Sequence, residues 1–129
     1  MEGYQEKTYD ITNYYGGFYI MEAHIKAIAD QYIKDITSTE QYISYDSEAN
    51  MMERFPELKD KLNDYRSENF KIQNAYSGEE LFDKMEDLQN RYEDILNDGR
   101  VSSFLHAETK FIKMMQEVND YIVRGLDIR

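Results

Sequence analysis

Residues 56–95, PELKDKLNDYRSENFKIQNAYSGEELFDKMEDLQNRYEDI, decide the fold. Leu58, Leu62, Tyr65, Asn69, Ile72 and Tyr76 recur at spacings of 4, 3, 4, 3 and 4. Leu81, Met85, Leu88, Tyr92 and Ile95 recur at 4, 3, 4 and 3. A period near 3.6 puts each set on one side of an α-helix. Pro56 suits the first position of the earlier helix and pushes Phe55 out of helical conformation. Between the two stripes, Ser77-Gly78-Glu79-Glu80 has the form of a capping box, a Ser followed three residues later by Glu. The stretch predicts two helices of about 20 residues, each roughly 30 Å long. The short connection makes them neighbours in a long antiparallel hairpin. Asn69 is the one polar residue in the earlier seam. It either fixes register or partner number, or sits at the stripe's edge beside Phe70.

Outward from the hairpin the helical period continues. Met21, Ile25, Ile28, Tyr32 and Ile36 predict a first helix beginning at Phe18, with Glu22 and Lys26 as a favourable pair four residues apart. Thr37-Ser38-Thr39 is a polar break able to cap a shorter second helix, on which Tyr42, Tyr45, Ala49 and Met52 share a stripe. Glu80–Lys84 and Asp87–Arg91 have the same pairing geometry on the fourth helix. Gly99 reads as its C-cap. A fifth helix is expected from about Ser102 to Val123, carrying Phe104, Glu108, Phe111, Met115, Val118 and Ile122. Residues 1–17, with Tyr4, Tyr9, Tyr14 and Tyr15 in no sustained period, read as a flexible leader. The chain is thus expected to be all-α, with one helical domain over residues 18–124 and a frayed end at 125–129.

Composition narrows what such a bundle can do. The 129 residues include 26 acids and 15 bases, for a net charge of −11, with no Cys, no Trp and one Pro. Absence of cysteine removes disulfides, thiolate metal sites and cysteine catalysis. The acidity disfavours duplex DNA and anionic membranes as direct ligands. No run approaches the roughly 18 apolar residues of a membrane span. The acidic, polar start from Met1 to Asp10 is unlike a signal peptide, so a cytoplasmic location is expected. Leu, Ile, Val and Phe together make only 28 of the 129 residues. That lean core suits a subunit that completes its burial in an oligomer. Residues 79–98 hold eight acids and two bases, whereas residues 99–129 hold four acids and five bases. The fourth helix is therefore the acidic one, either as a solvated face or as a docking surface for a basic partner through Glu79, Glu80, Asp83, Asp87 and Asp94.

Catalytic and metal patterns fail on spacing. A di-iron bundle needs Glu-x-x-His on two helices. Here Glu22 and His24, and His106 and Glu108, stand two apart and point to different faces. No phosphate-binding or dinucleotide-binding glycine motif occurs, nor a nucleophile elbow. Neither an enzyme nor a cofactor nor a metal site is expected. Glu108 is the polar residue inside an apolar stripe. A buried carboxylate must be hydrogen-bonded or paired, so it sits at the edge, pairs with a Tyr or Arg, or makes a specific contact with another polypeptide.

Thr39, Tyr42, Tyr45 and Ala49, followed after the hairpin by Val101, Phe104, Ala107, Glu108 and Val118, form a pattern that resembles the YlbF/YmcA family over about residues 20–123. The resemblance implies an all-α subunit that forms dimers or larger homo-oligomers through its long helices. It further implies modulation of ribonuclease Y, and through it competence, biofilm formation and sporulation, with no catalytic residues. Some members carry cysteines linked to Fe–S binding, and this chain has none. The leading expectation is a non-enzymatic regulatory or adaptor protein whose partner belongs to the RNA-degradation machinery. Its candidate interface comprises Leu81, Met85, Leu88, Tyr92, Ile95, Phe104, Glu108, Phe111 and Met115. The alternative is an acidic inhibitor or nucleic-acid mimic that binds a basic nucleic-acid enzyme, for example a phage-encoded one.

Overall fold

The computed structural model describes residues 8–12 and 18–129 and falls into two compact units, divided between Thr39 and Glu40. In the first unit, strand β1 (Thr8–Thr12) pairs antiparallel with strand β2 (Phe18–Glu22), Thr8 opposite Glu22 and Thr12 opposite Phe18. Helix α1 (Ala23–Thr37) follows. The expected leader at residues 1–17 lies outside the described residues except for Thr8–Thr12, which form a strand rather than a loose arm. The helix expected from Phe18 starts five residues later. Phe18-Tyr19-Ile20 is aromatic and β-branched, which favours a pleated strand, and Glu22 ends it with extended backbone (φ −56°, ψ 140°).

Helix α1 ends where the polar break predicts. The hydroxyls of Thr37 and Ser38 donate to the Lys34 carbonyl at 3.0 and 2.9 Å, and that of Thr39 donates to the Ile36 carbonyl at 2.7 Å. These bonds satisfy carbonyls that a helix terminus otherwise leaves open. Lys26 pairs with Asp30 at 2.5 Å. Nothing on α1 is fully buried, and Ile25 and Ile28 stay about half exposed.

The second unit consists of α2 (Glu40–Glu53), α3 (Pro56–Ala75), α4 (Gly78–Arg91), α5 (Glu93–Leu96) and α6 (Gly99–Leu126). From Ala23 onward every element is helical, and there are six helices among the described residues rather than five. Tyr42 and Tyr45 of α2 meet Phe111 of α6 at ring-centroid distances of 5.6 and 5.2 Å, and Tyr45 meets Phe104 at 6.0 Å. Met52, nearer the end of α2, packs in one cluster with Val101, near the start of α6. Later residues of α2 thus meet earlier residues of α6, so the two helices run antiparallel. Across α3 and the segment after it, Tyr76 lies near Lys84, Glu68 near Arg91 and Tyr65 near Tyr92, which is again an antiparallel order.

The core sits where these helices converge. Met52, Leu62, Ile95 and Val101 are buried together, with Leu58, Tyr65, Tyr92, Phe104 and Leu105 packed around them. Leu88 is 0% exposed on the inner side of α4. Among the described residues, four of the six buried hydrophobic side chains thus share one cluster, and tyrosine rings extend it.

Four local readings are corrected here. The fourth helix is interrupted at Tyr92 (φ −113°, ψ 23°), where the chain leaves α4 for the short α5. The Tyr92 ring packs edge-on against Tyr65 at 5.5 Å, and its hydroxyl donates to Glu68 at 3.3 Å. Ser77 makes no side-chain cap, because the turn is made instead by Gly78 at φ +62°, a region that glycine enters without steric cost. Gly99 is the first residue of α6, not the cap of the helix before it. Asp98 is the true N-cap, accepting from the Arg100 backbone N–H at 2.8 Å and gripping the Arg100 guanidinium at 3.0 and 2.6 Å. The Arg100 guanidinium in turn lies 4.3 Å above the Phe55 ring. Helix α6 is 28 residues long, roughly 42 Å. It runs past Val123, where the expected helix stops, and closes at Leu126 with Asp127 left-handed at φ 51°.

Three outcomes follow from this packing. Leu88→Ala removes a wholly buried side chain and costs about 3 kcal/mol in urea unfolding. Gly78→Ala meets no steric neighbour within 4 Å, so its cost of about 1 kcal/mol is the left-handed backbone alone. The Asp98 carboxyl is held at about 2, first by the Arg100 side chain and then by the Arg100 backbone N–H. A pKa lowered by folding contributes stability in full above the unfolded value near ~3.9, and that contribution is lost as pH falls through the folded value. Asp98→Ala therefore lowers the melting temperature at pH 7, and circular-dichroism melts show the deficit narrowing between pH 4 and pH 2.

Candidate functional site

The expected interface residues divide between the interior and the surface. Leu88 and Ile95, at 0% and 2% exposure, belong to the interior of the second unit. Leu81 and Met85 are half-buried along the same side of α4, and so is Tyr92 at the break between α4 and α5. Burial pushes the Tyr92 hydroxyl's pKa up, and the Glu68 carboxylate beside it adds to the shift. Phe104 and Phe111 are taken by the tyrosines of α2. Met115 is half-buried. Beyond it, α6 leaves Ile122, Val123 and Leu126 between 40% and 66% exposed.

Glu108 is resolved by a partner 42 residues away. The Arg66 guanidinium donates from both terminal nitrogens to the two carboxylate oxygens, at 2.7 and 3.2 Å. Such a fork fixes direction as well as charge. The same guanidinium lies 5.5 Å from the centre of the Phe104 ring. Arg66 on α3 is thereby pinned to two residues of α6 on adjacent turns. Arg66 was not singled out in the sequence, because nothing local marks it: it stands beside Tyr65 on α3 but outside the apolar stripe.

The acidic face has a different character. Glu79, Glu80, Asp83 and Asp87 project from α4 on the side away from Leu81, Met85 and Leu88, and all are exposed, as is Asp94 on α5. Arg91 pairs with Asp87 at 3.1 Å and with Glu68 at 2.9 Å, and Lys61 lies 3.6 Å from Asp94. Lys84, expected opposite Glu80, instead lies over the Tyr76 ring at 5.3 Å. Among the described residues, Glu79, Glu80 and Asp83 have no ion-pair partner. Phe82, between them, is 69% exposed. The helical period gave no sign of it, because it falls outside the α4 stripe.

His24 and His106 are both exposed. Among the described residues, no three His, Asp or Glu side chains are placed to hold a metal ion. Among the same residues, no helix is long and apolar enough to cross a membrane.

A double-mutant cycle on Arg66→Ala and Glu108→Ala yields a coupling of about 1 kcal/mol in equilibrium unfolding. Additive single effects would mean that the fork contributes nothing beyond two separate surface charges.

The geometry can be set beside known proteins. The family model described as "Control of competence regulator ComK, YlbF/YmcA" matches residues 25–127. Among curated proteins and solved structures, nothing matches the chain. The matched span runs from α1 to the end of α6 and contains the aromatic contacts of α2 with α6, the Arg66–Glu108 fork and the acidic face. The chain belongs to the YlbF/YmcA family, whose description is the control of a competence regulator.

Proposed function

We propose that this protein is a non-enzymatic, cytoplasmic regulatory or adaptor protein that associates with itself and with a partner in the RNA-degradation machinery through helix faces. The observation that carries the proposal is the apolar side of α6 beyond Met115. Ile122, Val123 and Leu126 are 40%, 49% and 66% exposed, on a helix that packs firmly through Phe104 and Phe111. Exposed apolar surface grouped on one element is a common mark of an interaction site. Met115 continues that side, and Leu81 and Met85 offer a second, half-buried strip on α4. Leu88 and Ile95 act from within, by holding α4 and α5 in place. Family membership supports a regulatory duty rather than a catalytic one.

Affinity capture from the native host with mass spectrometry tests this reading. The parent chain retains a defined protein partner, and Val123→Asp with Leu126→Asp weakens retention by at least tenfold while the far-ultraviolet spectrum is unchanged. A parent chain that is a stable monomer and captures nothing contradicts the proposal.

A second reading is favoured by one feature, the unpaired Glu79, Glu80 and Asp83 around exposed Phe82. In it the acidic face binds a basic nucleic-acid enzyme as an inhibitor or mimic. Replacing the three acids by Lys abolishes that binding at low salt, and raising ionic strength weakens the parent's binding by screening. If partner binding survives both changes, the second reading fails.

A further inference from the structure

We draw no further inference here: the strongest candidate, the apolar strip of Ile122, Val123 and Leu126 exposed along the second half of α6, carries nothing beyond the contact surface already proposed, because nothing in the structure shows what covers it.

Discussion

Tyr45 stacks on Phe111 at 5.2 Å with ring planes 13° apart, and the same phenol ring reaches Phe104 at 6.0 Å. With Tyr42 edge-on to Phe111, these contacts fix how α6 lies along α2. Rings of this kind bring large buried area together with a preferred geometry. That combination matters in a chain so short of aliphatic residues. Once α2 and α6 are aligned, Met52 and Val101 are brought into one cluster with Leu62 and Ile95. The Arg66–Glu108 fork then binds α3 to the same stretch of α6. The aromatic contacts and the buried cluster thus hold the same pair of helices, and the ion pair adds direction to them.

The helices were legible because their apolar spacing is regular over many turns. Pro56 at the start of α3 and the break at Thr37–Thr39 were read correctly, since both depend on local chemistry: a missing N–H and short hydroxyl side chains. The errors arose where two local signals compete. Met21, Ile25 and Ile28 fit a helical period, yet residues 18–22 pair as a strand with Thr8–Thr12, a partner that the 3.6-residue period does not reveal. Ser77 and Glu80 match a capping box, but Gly78 takes a positive φ, and the turn is built from backbone rather than from the serine hydroxyl. Gly99 satisfied the rule for a helix end. Asp98 one residue earlier satisfied the rule for a helix start, and its bonds to Arg100 decided the matter.

The surface was less legible than the fold for a similar reason. Glu108 announced itself as a carboxylate that needs a partner, but the partner is supplied by tertiary structure and lies 42 residues away. Lys84 shows the reverse. Its sequence distance from Glu80 suits an ion pair, while the Tyr76 ring, just past the end of α3, offers a cation–π contact. Among the described residues, Glu80, with Glu79 and Asp83, faces solvent with no ion-pair partner. The total charge of −11 is therefore less informative than its placement on the outer side of α4.

Among the described residues, the second half of α6 and the outer side of α4 present exposed helix faces, one apolar and one acidic. The proposed self-association would place another copy of the chain against the exposed second half of α6. Sedimentation velocity over a concentration series tests that claim most directly. The expected result is a species at twice 15.4 kDa or a higher multiple at micromolar concentration, dissociating on dilution. A single 15.4 kDa species across the whole range would contradict it.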